Sequence, residues 1–398
     1  MKRTLEKISI LSLSLMLITT YSVSAVIPMM VEHFSDYSRT DVEQLIPITS
    51  FAIMIMIMLN TWLSKIISER LSIILGMSLI AVAGTVPVFV QQYEVMFASR
   101  VLLGVGIGLV NAYALHMINE RYEGDERATL LGYRAAMEGL GSAVLTLVAG
   151  QLLGFGWKYA FLIYVAALPI LLLYLCFVPK KSSGSGGIGA KEKSEMAGET
   201  VKIEKTDIQS HMGFLVSGLI LGALAICVNS GNTLRIPGLV LERGIGTEAQ
   251  SSVILSAMMI TSIVGGVGFG WLNQFLKEKM SAVCMLAYAA GMILIAGSGN
   301  IIILGIGAMI AGAAQNLIVT ALFNDVSNKL PANLVKIGTT FVLVGCNLGS
   351  SCSAILLKVI GLFSEKMSAS FMVYAVVMLA LGLLMMGRAQ MERKTGKK

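Results

Sequence analysis

The sequence predicts an all-α integral membrane protein of twelve transmembrane helices in two pseudo-symmetric six-helix halves. Three observations carry that reading. Hydrophobic residues make up 56% of the chain and charged residues only 13%, where a soluble domain carries about 25% charged residues, and mean hydropathy is +0.79. Apolar runs of roughly 18 to 25 residues, long enough to cross ~30 Å of hydrocarbon, recur from end to end. One charged stretch occurs twice: WLSKIISERLS at Trp62–Ser72 returns as WLNQFLKEKMS at Trp271–Ser281, slightly more than half the chain later.

Taken in order, the first run covers 8–30. Lys2, Arg3 and Lys7 precede it, and Val23-Ser24-Ala25 has the small-residue pattern of a signal-peptide cleavage site. The length of the run favours a retained first helix over a signal core. Runs follow at 45–63, 73–90, 95–118, 129–153 and 159–178, completing a first half over 1–178. Residues 179–210 are Gly/Ser-rich and then Lys/Glu-rich, the composition of a flexible linker, with room for a short amphipathic helix near Glu192–Lys205. The second half, 211–388, holds runs at 212–234, 250–272, 281–298, 301–323, 337–360 and 368–387, and a basic tail occupies 389–398. Backbone groups in hydrocarbon must bond within their own segment, so each run is read as a helix. Most of the 30 Lys and Arg residues fall on one set of connections, against Arg39, Lys158, Arg235, Arg243 and Lys366 on the other. Both termini are therefore expected in the cytoplasm of a multi-pass protein of the cell membrane, with a bacterial plasma membrane as the expected setting.

Composition also excludes classes. The formal charge is +7, but the bases sit in short clusters between apolar runs without interleaved aromatics, which argues against nucleic acid as a partner. Cys176, Cys227, Cys284, Cys346 and Cys352 lie in or beside apolar runs without metal-ligand spacing and read as small buried hydrophobes. Glu32, His33 and Asp36 read as scattered charge on a solvated outer loop, so no metal is expected. No phosphate-binding glycine loop and no nucleophile–base constellation stands out, so neither a built-in ATPase nor an enzyme is expected.

The duplication extends beyond the repeated stretch. Pro28 matches Pro237, Asn111 matches Asn316, and Gly132 and Gly139 match Gly338 and Gly345, in order and at nearly constant spacing. Together with the layout of helices and linker, this resembles the major facilitator superfamily over the whole chain. That family's motif after the second helix reads G-x-x-x-D-[RK]-x-G-[RK]-[RK]. Here the register gives Asn60, Ser64, Lys65, Ile67, Ser68 and Glu69, then Arg70, so only Lys65 fits. The fourth-helix motif R-x-x-Q-G-x-G is met by Arg100, Gly104 and Gly106, with Leu103 in place of Gln. The antiporter motif of the fifth helix keeps Gly132, Gly141 and Gly150 but has Leu145-Thr146 where Gly-Pro would stand. The resemblance, to the twelve-helix drug:proton antiporter branch, implies alternating access around a central site. It also implies that the proton gradient supplies the energy, that no cofactor is needed, and that Arg100 is linked to proton movement.

Embedded charge is costly and marks function. Arg134, Glu138 and Ser142 recur at i, i+4 and i+8 on the fifth helix as a polar stripe, with Gly132, Gly139 and Gly150 on the opposite face for close packing. Glu138 is the only carboxylate well inside any predicted helix, so Glu138, Arg134 and Arg100 are the proton-coupling candidates; an internal ion pair is the alternative for the first two. Tyr21, Ser24, Asn111, Ser142, Asn229, Asn232, Gln315, Asn316 and Asn347 are candidates to line a solute cavity or to join helices. Lys65 and Arg70, with Lys277 and Lys279 in the second copy, form the expected conformational hinges. The expected function is proton-coupled export of small organic molecules by a monomer in the lipid bilayer. Solute:proton uptake is the alternative within transport, and a non-transporting membrane sensor or assembly partner is the alternative outside it.

Overall fold

The computed structural model describes residues 2–63, 66–122, 124–178, 205–364 and 366–394. Lys65 and most of the expected linker lie outside the described residues, as does the stretch proposed for an amphipathic helix up to 204. The chain divides into two compact units, Met1–Val23 with Leu45–Ile208, and Ser24–Gln44 with Gln209–Lys398. Eleven helices among the described residues are long and apolar enough to cross a membrane.

The first unit contains α1 (Lys2–Leu13), α4 (Pro47–Leu63), α5 (Glu69–Phe89), α6 (Tyr93–Arg121), α7 (Gly124–Leu152) and α8 (Ala167–Phe177), with a 3-10 segment Trp157–Ala166 leading into α8. The second contains α2 (Ile27–His33), α3 (Arg39–Gln44), α9 (Lys205–Glu242), α10 (Glu248–Leu276), α11 (Met280–Gly297), α12 (Ile301–Lys329), α13 (Ala332–Gly361) and α14 (Met367–Lys394). In the first unit α6 packs between α4 and α5; in the second, α12 packs between α10 and α11.

The expected first span, 8–30, is not one continuous helix. After α1 the chain passes through 3-10 turns at Ser14–Met16 and Ser24–Val26 before α2 begins. The cause lies in the hydroxyl residues of this stretch, which offer the backbone local partners in place of the helical ladder. Ser12 Oγ donates to the Ser9 carbonyl and Thr19 Oγ1 to the Met16 carbonyl, each at 2.9 Å. Carbonyls and donors freed by the break find partners on neighbouring elements: Tyr164 Oη donates to the Thr19 carbonyl at 3.3 Å, and Ser22 Oγ to the Ser142 carbonyl at 3.4 Å. Irregular backbone is thus retained only where protein surrounds it.

A second departure concerns the seventh span, expected to end at 234. Pro237 lies beyond that end, yet α9 continues through it to Glu242. From Cys227 to Val240 only Asn229 and Gly238 are less than fully buried, and a helix so enclosed tolerates the missing N–H of a proline. Arg235, expected on a connection, is therefore inside the helix and 7% exposed.

Packing sets the register between the repeats. A Cβ on Gly141 would strike the Leu15 carbonyl oxygen, and one on Gly349 would strike the Ala223 carbonyl oxygen. Gly104 against Thr49 and Gly312 against Met258 form a second such pairing. All these partners keep a common separation in sequence to within one residue, and each glycine allows the backbone approach that joins membrane helices. This register equates Leu140-Gly141-Ser142 with Leu348-Gly349-Ser350, and it displaces the expected pairing of Gly139 with Gly345 and Asn111 with Asn316. Gly132, expected on a closely packed face, has open space around it. Replacing Gly141 or Gly349 by Leu is expected to destabilise the protein by about 1–3 kcal/mol through overpacking. The same change at Gly132 should be nearly neutral, as thermal unfolding in detergent will show.

Candidate transport site

In the first unit the fifth-span stripe is embodied by α7. Arg134 Nη2 lies 2.7 Å from Glu138 Oε1, and both side chains are 16% exposed. The same nitrogen donates to Asn111 Oδ1 of α6 at 2.7 Å. Four-residue spacing stacks the two charges on one face of α7, and Asn111 approaches from the neighbouring helix. Arg134 Nε and Glu138 Oε1 have no aligned hydrogen bond, so the pair holds its charges with spare capacity for a further polar partner. Ser142, the third member, is 3% exposed, and its carbonyl accepts from Ser22 and Thr146. The stripe therefore runs from a partly open charged pair to a closed contact with the broken first span. Tyr21 is partly exposed within that break, and Ser24 is fully buried at its far end, in the second unit.

Arg100 stands apart from this cluster. It is 2% exposed, with Nη2 donating to the Gly84 carbonyl at 3.0 Å and the Ala83 carbonyl at 3.3 Å. Its guanidinium sits 4.8 Å from the Phe161 ring centroid and 5.4 Å from that of Tyr164. Carbonyls and ring faces together compensate a charge removed from water. Arg100 thereby ties α5, α6 and the 3-10 segment, and Asn111 lies ~16 Å further along α6 at 1.5 Å per residue.

The second unit places its candidates differently. Asn232 is fully buried and donates from Nδ2 to Tyr288 Oη at 2.5 Å. Asn229 Oδ1, Asn232 Oδ1 and Tyr374 Oη are buried without a hydrogen-bond partner. Asn316 Nδ2 donates to the Ser262 carbonyl at 2.7 Å and so joins α12 to α10. Asn347 turns back to the Leu343 carbonyl of its own helix at 2.9 Å, and Gln315 is 9% exposed. Asn316 thus joins two helices, Asn347 bonds within its own, and Asn229 and Asn232 belong to a buried polar patch.

The charged stretch that is repeated in sequence ends in two different local structures. Arg70, in the first turn of α5, donates to the Val178 carbonyl at 3.1 Å and the Leu175 carbonyl at 3.4 Å, capping the end of α8. In the second copy Lys277 has φ +45°, and Lys277–Lys279 form a single 3-10 turn between α10 and α11.

Two charge clusters were not anticipated. In the first unit Arg121 pairs with Glu6 at 2.5 Å and with Glu69 at 3.7 Å, linking the ends of α1, α5 and α6. In the second unit Glu43, with no solvent exposure, pairs with Arg235 Nε at 3.0 Å. Glu138 is therefore not the only embedded carboxylate, and Glu43 is the more deeply buried. The segment RTDVEQ reads as a polar loop, and only the spacing of Val42 from Leu45 and Ile46, all buried, hints that one face of α3 turns inward.

A sequence profile described as Major Facilitator Superfamily matches residues 9–354. The chain is 28% identical over 186 residues to a Protein TsgA homolog of Erwinia tasmaniensis, a match covering 44% of this chain and 46% of that one. It is 24% identical over 231 residues to the Hexuronate transporter of Bacillus subtilis, covering 56% and 53%. The chain thus spans about half the length of these curated relatives. Among solved structures, a D-xylose-proton symporter superposes with a TM-score of 0.74 over 97% of both chains at 14% identity, a likeness of fold. If Arg100 braces its three elements as described, Arg100→Lys should lose the paired carbonyl contacts and ring stacking. A fall in stability of about 1–3 kcal/mol is expected, measurable by thermal unfolding in detergent.

Proposed function

The chain belongs to the Major Facilitator Superfamily, and we propose that it is a multi-pass membrane transporter, a proton-coupled exporter of small organic molecules working by alternating access. The observation that carries this reading is the Arg134–Glu138–Asn111 cluster, a charged pair with unfilled polar capacity inside an apolar helical unit. Deprotonated Glu138 occupies Arg134. A proton on Glu138 removes that attraction and leaves the guanidinium free to donate to an acceptor on a solute. Proton and solute then exchange influence over one side chain, which is the differential interaction a coupled carrier requires. The glycines retained from the antiporter pattern, Gly132, Gly141 and Gly150, support export.

A second reading, solute:proton uptake, is favoured by Arg134, which suits an acidic solute, and by the printed names of two similar proteins, a hexuronate transporter and a D-xylose-proton symporter. The distribution of Lys and Arg supports both termini on the cytoplasmic side of the membrane.

In inside-out membrane vesicles, adding solute should collapse an imposed pH gradient, and Glu138→Gln should abolish that response. A Glu138→Gln protein that couples fully would reduce the pair to a structural brace. Proton movement in the same direction as solute, with the same loss in Glu138→Gln, would establish uptake instead.

A further inference from the structure

We propose that the groove between the N-terminal ends of α1 and α7 is a phospholipid site, selective for a headgroup that carries both a phosphate and a primary ammonium, as in phosphatidylethanolamine. The groove belongs to the first unit and uses none of the Arg134–Glu138–Asn111 cluster, so the inference goes beyond the transport reading and does not depend on it.

The groove follows from how the two helices meet. Lys7 contacts Glu126 near the helix starts, and the Leu15 backbone contacts Gly141 further along, so α1 and α7 run in the same direction. At Gly141 the backbones touch. Nearer the starts side chains and open space stand between them, and the groove there measures about 400 Å³. The α1 wall is Thr4, Lys7, Ile8 and Leu11, and the α7 wall is Glu126, Thr129, Leu130 and Tyr133. Each wall takes positions i, i+3, i+4 and i+7, a single helix face. Along both walls a hydroxyl and a charge come first and two larger apolar or aromatic side chains follow. The groove is therefore graded from polar to apolar, with Leu130, 4% exposed, as its floor. The apolar span of α7 begins at Gly132. The charged end thus stands outside the hydrocarbon and Tyr133 at its border, where an amphipathic ring is at home.

What lies beyond the groove says what fills it. From Tyr133, 57% exposed, α7 continues an uncovered apolar line through Leu140 and Val144, each 48% exposed. At 1.5 Å per residue that line is ~16 Å long, about half of the ~30 Å of hydrocarbon. A polar cleft joined to an apolar track one leaflet deep fits a headgroup joined to an acyl chain.

The headgroup is set by charge. Lys7 Nζ lies 2.5 Å from Glu126 Oε1 with the side chains 30% and 37% exposed, and Nζ also faces the Tyr122 ring at 5.6 Å. An ion pair this wet is weak. An ammonium has three donors and a carboxylate several lone pairs, so each can bond a further charged group without parting from the other. A phosphate alone would gain Lys7 and be repelled by Glu126. A headgroup holding a phosphate beside a primary ammonium satisfies both, the phosphate on Lys7 and the N–H groups on Glu126. Both helices begin here, and their positive dipole ends favour the phosphate as well.

The test is native mass spectrometry of the delipidated full chain in detergent, titrated with dioleoyl phosphatidylethanolamine, phosphatidylglycerol or phosphatidylcholine. One phosphatidylethanolamine should bind saturably and about tenfold more tightly than phosphatidylglycerol, the weight of a hydrogen bond to a charged group. Phosphatidylcholine, whose trimethylated nitrogen has no N–H to give Glu126, should bind as weakly as phosphatidylglycerol. Glu126→Gln should erase the preference while retaining a bound lipid. Ile8→Trp, which fills the groove, should weaken binding of all three lipids and leaves the charged pair in place should Glu126→Gln fail to fold. Equal binding of the three lipids by the unaltered chain, or a preference that survives in both variants, would overturn the proposal. So would a dimer that Ile8→Trp abolishes, which would assign the groove to a second copy of the chain. No solute or proton gradient enters the assay, so its failure and that of the Glu138 reading are separate results.

Discussion

Hydrocarbon offers no hydrogen bonds, and every polar group that this chain places in it must find a partner made of protein. That constraint explains more of the structure than apolar burial does, because lipid is as apolar as the side chains it faces. Helices account for most backbone groups. Where the helix breaks, between α1 and α2, hydroxyls of Ser22 and Tyr164 complete the set. Where a charge is embedded, carbonyls and rings surround Arg100, while Arg134 and Arg235 each have a carboxylate. The three arginines meet one requirement in different ways, and only the two carboxylate-bearing solutions can be altered by a single proton.

The internal repeat shows what duplication keeps and what it lets go. The close approaches at Gly141 and Gly349 are common to both units, as is the Leu-Gly-Ser sequence around them. In the same register, Arg134 and Glu138 fall opposite Val342 and Cys346, which lie near the helix face of α9 at Gly222. The second unit carries its ionised pair elsewhere, on α3 and α9. Backbone contacts that fix helix spacing thus persist while the polar chemistry has moved, so the two units have the same framework and different charged sites.

The large features of the fold were legible because they depend on local composition. A run of about 20 apolar residues has few alternatives to a spanning helix, and four-residue spacing was enough to bring Arg134 and Glu138 together. The misses share a cause. The seventh span looks complete at 234 until the burial of the whole Cys227–Val240 stretch is known, and Ser14 to Ser24 look like part of a helix until the partners for the freed carbonyls are known. Glu43 sits in a stretch with the composition of a loop, and its charge partner Arg235 is supplied by α9, nearly 200 residues later in the chain. Periodicity reports which way a side chain points from its own element and is silent on what stands opposite. The substitution of Asn60 and Ser64 for the family's Gly and Asp suggested a depleted charge network at that end. Glu69, at a motif position where the family has a base, pairs with Arg121, which also pairs with Glu6, so a charge network stands there with the sign at that position reversed.

The interrupted first span also bears on how the chain enters a membrane during synthesis. A segment that closes its own hydrogen bonds can partition into lipid as soon as it leaves the ribosome. The stretch between α1 and α2 cannot, since the Thr19 carbonyl waits for Tyr164 and the Ser22 hydroxyl for Ser142, residues made more than a hundred positions later. The stretch between α1 and α2 therefore completes its hydrogen bonds only after α7 and the 3-10 segment before α8 have been made.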